Sequence, residues 1–241
     1  DTQHGILLMD DYSRTHTNVN DWEVPISNAN LEQLMRTLAT FHNLNWENDL
    51  TREALGLPWH LANAENYRQH LDYLERDLQI FLSKSPFHIE ERKKQYYESS
   101  LQYLRDNYHH IIGRAVHNNA VTFTHGDLHG GNILFPTTEQ SKVLFFDLEA
   151  VKLGLCTDDL VRFFVHEYYH GAVQTHELLQ IYFDLLSTQL NSKYSKEQFM
   201  WDFKYSLMEG MFFPLKLFAH YNVEDEELLL KSLDAYEVFC R

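Results

Sequence analysis

The sequence predicts an α+β fold that is mostly helical, with a small β element at its centre. Three observations carry this. Apolar residues recur at helical spacing through most of the 241 residues, the short β-rich runs VTFTH, NILF and KVLFFD fall together between residues 121 and 147, and the turn formers HGDLHGG and PTTEQS separate those runs.

In chain order, Gly5 to Met9 (GILLM) reads as a short buried strand ending at the acidic pair Asp10 and Asp11. From Asn30, the positions Leu31, Leu34, Met35, Leu38 and Phe41 line one face of a helix that runs to about His42, with Asn28 or Asn30 as its cap. Residues 63–82 and 88–117 continue in helical style, the second with Leu101, Leu104, Tyr108, Ile111, Ile112 and Ala115 on one face. The three β-rich runs follow. After Gly154 the chain reads as helix near 157–170, 175–190, 195–218 and 224–240, with no internal repeat and no low-complexity linker.

A hydrophobic content of 44% and 14% aromatics suit one good core in one or two lobes. No run approaches the 18 or so apolar residues of a spanning helix, and DTQHGILLMDDYSR has no basic region followed by an apolar core. A soluble, cytoplasmic protein is expected. Cys156 and Cys240 are too few and too far apart for a disulfide scaffold. The 20 Lys and Arg against 35 Asp and Glu give a net charge of −15, which disfavours nucleic acid and anionic membrane as partners. The same charge would attract a cationic ligand, or simply keep the surface solvated.

Two motifs compete for the chemistry. His166-Glu167-x-x-His170, with His176 ten positions after the first histidine, has the spacing of a zinc peptidase helix. The extended form of that motif needs a glycine seven residues after the first histidine, where this chain has Val173, and Gly171 comes two residues early. The segment THGDLHGGNILF, residues 124–135, is more specific. It sets Asp127 and Asn132 in an Asp-Leu-x-x-x-Asn arrangement between two β-runs, and Asp147 follows fifteen residues later at the end of KVLFF. Phosphoryl transfer needs these groups. Asn132 and Asp147 offer hard oxygens to a divalent cation that neutralises the donor phosphates, and Asp127 would orient the acceptor hydroxyl and take its proton. Gly130 and Gly131 let the loop pass close beneath phosphates, and His125 braces it.

His125-Gly126-Asp127-Leu128-His129-Gly130-Gly131-Asn132 is similar to the His-Gly-Asp-Leu-His-x-Gly-Asn loop of the aminoglycoside phosphotransferase and choline kinase superfamily, and Phe146-Asp147-Leu148-Glu149 is similar to its metal strand. Leu38 to His42 resembles that family's Leu-Ala-x-Leu-His helix end, Asp159-Leu160 its Asp-Leu-Ala helix start, and Leu7 to Asp11 its adenine-binding hinge. The resemblance spans the chain and implies a protein-kinase-like fold, with residues 1–12 as hinge strand and linker and 13–241 as a helical carboxy-terminal lobe. That lobe would carry the catalytic loop at 124–135 and the metal strand at 142–149. It further implies Mg2+ with ATP or GTP, Asp127 as base, Asn132 and Asp147 on the metal, support from His125, His129, Glu149 and Asp159, and a nucleotide hinge at Leu8, Met9, Asp10 and Asp11. Only Lys152 to Thr157 separate the metal strand from the next helix, too few for a protein kinase's activation loop, so the acceptor is expected to be a small molecule.

The family also carries an amino-terminal β-lobe with a phosphate-pairing lysine, whereas the first lysine here is Lys84. The expectation is that this lobe is missing from the chain, and that these residues alone bind ATP weakly and turn over negligibly. For the acceptor, Glu224, Asp225, Glu226 and Glu227 would suit ammonium groups, and Trp201, Tyr205 and Phe212 a choline-like cage, so a cationic aminoglycoside-like or choline-like compound is expected. The acidic run would equally serve a helix start, and the aromatics a core. Tyr194 to Phe203 (YSKEQFMWDF) resembles the ecdysteroid kinase-like branch, although that branch's tryptophan and paired asparagine in the catalytic loop have no counterpart here. A catalytically silent binding module of the same fold is the alternative from another class, and the zinc peptidase a distant third.

Overall fold

Helix α1 (Asn28–Leu44) starts where Ser27 accepts a hydrogen bond from the Asn30 amide, so the cap is neither Asn28 nor Asn30 but the residue just before them. Its buried stripe is Leu31, Leu34, Met35, Leu38, Ala39 and His42. The structure, a computed structural model, describes residues 10–18, 26–137, 142–167 and 171–241. The expected strand at Gly5 to Met9, and with it Leu8 and Met9 of the hinge, lies outside the described residues. Asp10 and Asp11 are exposed, and Asp11 accepts from the Ser13 amide at 2.9 Å.

A short helix α2 (Asp49–Leu55) and a single 3-10 turn at Trp59–Leu61 precede the long helices α3 (Ala64–Lys84) and α4 (Glu91–Val116). Two small antiparallel sheets follow from five strands: β1 (His16–Asn18), β2 (Thr122–Thr124), β3 (Ile133–Pro136), β4 (Leu144–Phe145) and β5 (Lys152–Gly154). One sheet has the order β1-β3-β4 and the other pairs β2 with β5. β1 and β5 were not anticipated, because HTN and KLG lack the run of β-branched and aromatic residues that marked VTFTH.

Helix α5 (Cys156–Val161) runs into a π turn at Arg162–Glu167, followed by α6 (Ala172–Gln189), α7 (Lys196–Gly210), α8 (Phe213–Tyr221) and α9 (Glu226–Phe239). The expected single helix over 195–218 is therefore two. The chain turns at Met211 and Phe212, and Pro214 sits in the first turn of α8, where it has no amide hydrogen to give to α7.

The core is continuous, with α1 packed on α6, α5 on α7, and α3 between α4 and α8. At its base Arg114 of α4 makes a bidentate pair with Asp202 of α7, at 2.5 and 2.8 Å, and the Tyr194 hydroxyl donates to the same carboxylate at 2.6 Å. No described helix is long and apolar enough to cross a membrane.

Candidate active site

Strand β2 delivers the chain to the His125–Asn132 loop, and one buried carboxylate fixes where that loop begins. Asp159 of α5 accepts from the His125 amide at 2.7 Å and the Gly126 amide at 2.9 Å, while His42 of α1 donates Nε2–H to it at 3.1 Å. Burial alone would raise the Asp159 pKa, but His42 and the two amides hold it below the ordinary carboxylate value. The Tyr182 hydroxyl closes the relay on His42 Nδ1 at 2.5 Å. Gly126 must be glycine. Its φ is 81°, and a Cβ there would collide with the Ala150 carbonyl.

His125 then ties the loop to the strand after it, donating Nε2–H to the Phe146 carbonyl at 2.9 Å. The side chain of Asp127, 44% exposed, projects between two basic neighbours: Arg162 Nε donates to Oδ1 at 3.1 Å, and His129 Nε2 stands 3.5 Å from Oδ2. His129 Nδ1 accepts from the Gly131 amide at 3.1 Å, which leaves Nε2 as the protonated nitrogen. The His129 hydrogen bond, with the Arg162 charge and hydrogen bond, outweighs burial and lowers the Asp127 pKa to about 2.

The β3–β4 register sets Ile133 opposite Phe145, and the Phe146 amide donates to the Asn132 carbonyl at 3.2 Å. Asn132 and Asp147 therefore sit at the same end of one hairpin. The Asn132 amide group donates to the Asp127 carbonyl at 3.0 Å, which orients the side chain and leaves its oxygen as the acceptor. Asp147 is exposed and left-handed, at φ 57° and ψ 63°, a conformation sparsely used by non-glycine residues and concentrated at functional positions. Glu149 is exposed in the 3-10 turn Leu148–Ala150.

A cleft of about 420 Å³ opens beside Asp127. Its charged lining is Asp127, Lys152, Asp158, Asp159, Arg162, Glu209 and Lys216, and neither Asn132 nor Asp147 lines it. Glu209 of α7 accepts from His70 Nε2 at 3.2 Å and from the Tyr67 hydroxyl at 2.7 Å, and Tyr67 in turn meets the Tyr205 hydroxyl at 2.6 Å. Burial opposes its ionisation, yet His70, His60 and Tyr67 hold its pKa far below the usual range. Burial raises Asp158 to about 6, and its two oxygens accept from Ser206 at 2.6 Å and from the Leu155 amide at 3.2 Å. His60 stacks on His70 with 4.8 Å between ring centres, and burial pushes its pKa down to about 4.

The suggested substrate groups lie elsewhere, apart from Phe212. Asp225 caps α9 through the Leu228 amide at 2.9 Å, Glu227 pairs with Lys231 at 2.7 Å, and none of Glu224, Asp225, Glu226 or Glu227 lines the cleft. Trp201 stacks on the buried Tyr205 at 5.3 Å and meets His110 at 5.1 Å, and only Phe212 of the aromatic set lines the cleft. His166 is buried and stacked on Phe213 at 5.1 Å. Neither of its ring nitrogens has a hydrogen-bond partner among the described residues, and burial lowers its pKa to about 3. His170 lies outside the described residues, and His176 stands on α6 against Phe239, beyond the break at Gly171, where φ is 102°. Among the described residues no group of three or more His, Cys, Asp or Glu could hold a metal.

Residues 1–193 match the ecdysteroid kinase-like family, a match that stops one residue short of the stretch that resembled that branch. No curated protein matches the chain. Among solved structures it is similar to a Plasmodium vivax ethanolamine kinase, with 13% identity and a TM-score of 0.46 over 88% of this chain, which spans 58% of that one. The match covers well over half of the sequence and lies within the kinase-like superfamily that the Asp127 loop and the Asp147 strand resemble: the chain belongs to the ecdysteroid kinase-like family.

Proposed function

We propose that this chain forms the base- and metal-bearing part of a small-molecule kinase that transfers a phosphoryl group from ATP or GTP, with Mg2+, to a hydroxyl. One observation carries the reading. An ionised Asp127 borders a cleft, and the hairpin beside it sets Asn132 and Asp147 at a common end. Those two supply a carbonyl and a carboxylate oxygen, the hard donors that Mg2+ takes. The metal, when bound, would neutralise charge on the phosphates.

The remaining work falls to the chain's own groups. A carboxylate whose pKa is near 2 is too weak a base to deprotonate a free alcohol, so Asp127 acts mainly by orienting the hydroxyl. It receives the proton as the bond to phosphorus forms, which suits a loose transition state. Asp159 and His42 keep the loop amides, and hence Asp127, in place.

The acceptor is a hydroxylated small molecule. Recognition through an ammonium group finds little support, since Asp158 and Glu209 in the cleft already have protein partners on both oxygens. A binding-only role draws on a different fact: no lysine precedes Lys84, so residues 1–83 bring no phosphate-pairing lysine. Incubation of the full protein with labelled ATP, Mg2+ and panels of hydroxysteroids, amino alcohols and aminoglycosides separates the readings. Transfer that falls at least about 100-fold in Asp127→Asn is expected. Transfer unchanged in that variant, or none with any acceptor, would refute the kinase reading.

A further inference from the structure

Within a chain whose net charge is −15, the Asp127 cleft gathers three cations from three elements: Lys152 of β5, Arg162 of the π turn and Lys216 of α8. The carboxylates lining it are all engaged. Asp127 has Arg162 and His129, Asp158 has Ser206 and the Leu155 amide, Asp159 has His42 and two loop amides, and Glu209 has His70 and Tyr67. The cations are engaged less fully: Arg162 is shared between Asp127 and Glu167, and Lys152 acts on Asp158 through its charge alone. Among the described residues no ion pair and no side-chain hydrogen bond engages Lys152 or Lys216.

Lys152 is half-buried, and its charge favours the ionised form of Asp158, yet the ammonium makes no ion pair, so a bound anion would give it a direct partner. Arg162 is braced on two sides. Its guanidinium lies 4.6 Å from the centre of the Phe213 ring, and Nη1 donates to Glu167 at 2.7 Å. With Nε on Asp127, two of its five N–H groups are committed, and the rest of the planar fork suits a tetrahedral or carboxylate oxyanion. The nearby His60 and His166, whose pKa values are lowered to about 4 and about 3, add no positive charge near neutral pH.

We propose that Lys152, Arg162 and Lys216 form an oxyanion subsite on the acceptor side of Asp127, which recognises a phosphate, sulfate or carboxylate carried by the molecule that is phosphorylated. The assignment to the acceptor rests on the kinase reading, and on the fact that this cleft is lined by Asp127 but by neither Asn132 nor Asp147. The subsite reverses the charge expected of the acceptor: an anionic substituent fits where an ammonium group would meet three cations with donors to spare.

Inorganic phosphate and sulfate, titrated calorimetrically into the full chain without Mg2+ or nucleotide, test the subsite. Saturable binding with a Kd of roughly 1–10 mM is expected. The double variant Lys152→Gln/Lys216→Gln should weaken it at least about tenfold, Lys152→Arg/Lys216→Arg should retain it, and Asp127→Asn should tighten it by removing a neighbouring anion. Lys216 is exposed and Lys152 half-buried, so the fold is expected to survive, which circular dichroism checks. Binding that is absent, or unchanged in the glutamine double variant, overturns the proposal. Binding that needs Mg2+ and is lost in Asp147→Asn assigns the anion to the phosphoryl donor, and overturns the acceptor-side placement. Failure of the kinase reading appears separately, as labelled transfer indifferent to Asp127→Asn, whereas the Mg2+-free titration reports on the cations alone.

Discussion

Asp127 shows how much one side chain owes to its neighbours. Its pKa falls from the ordinary 3.8 to about 2 because His129 and Arg162 favour the charged form. The stabilisation those partners give the folded chain is present in full above pH 3.8 and is lost as pH falls toward 2. With 44% of the side chain exposed, solvent screens the pair, so the effect on unfolding is small and the better readout is the carboxyl itself. Arg162→Gln should move the Asp127 carboxyl titration, followed by carbon NMR, up toward 3.8, and an unmoved midpoint would mean that His129 alone sets it. The placement of Asp127, Asn132 and Asp147 near one another was legible from the sequence, because two lie on one loop and the third comes just after the strand paired with the segment that follows that loop. Arg162 was not. It stands three residues after Asp159, nearly one helical turn, but nothing in the local pattern shows that this turn faces the loop.

At the level of elements, two acidic residues of similar appearance carry very different weight. Asp202 is buried against Arg114 and joins α7 to α4, whereas Asp225 is an exposed cap on α9. Removing one partner of a buried ion pair leaves the other charge uncompensated, at a cost of about 3–5 kcal/mol, while losing a cap costs about 1 kcal/mol. Urea unfolding of Asp202→Ala and Asp225→Ala should reproduce that order, and equal losses would show that the Arg114 pair is not what holds α4 to α7. The helices were legible wherever an apolar stripe repeated, as in α1, α3 and α4. The break between α7 and α8 was hidden because Met211, Phe212 and Phe213 continue an apolar run through the turn, and only Pro214 marks the new start. The cleft was hidden for a related reason. His60, His70, Glu209 and Lys216 come from four segments, and no spacing rule reaches across such separations.

Across the whole molecule, the two small sheets serve to bring a loop, a hairpin end and a cleft to one edge of a helical body. On the proposed kinase reading, that arrangement would offer a nucleotide two oxygen donors for its metal and little else, since no lysine precedes Lys84 and Asp147 is open to solvent. Binding to the folded state alone stabilises a protein by RT ln(1 + [L]/Kd), which at a ligand concentration equal to Kd is about 0.4 kcal/mol. For a chain of this size each kcal/mol moves the melting temperature by about 2–4 °C. Mg-ATP at concentrations no higher than its Kd should therefore raise the melting temperature of these 241 residues by less than about 2 °C, and weak affinity keeps millimolar nucleotide in that regime. A shift above about 5 °C at 1 mM, abolished by Asp147→Asn, would show that this chain grips the nucleotide unaided and that the phosphate-pairing cation lies among its own residues, with Lys152 the first to test.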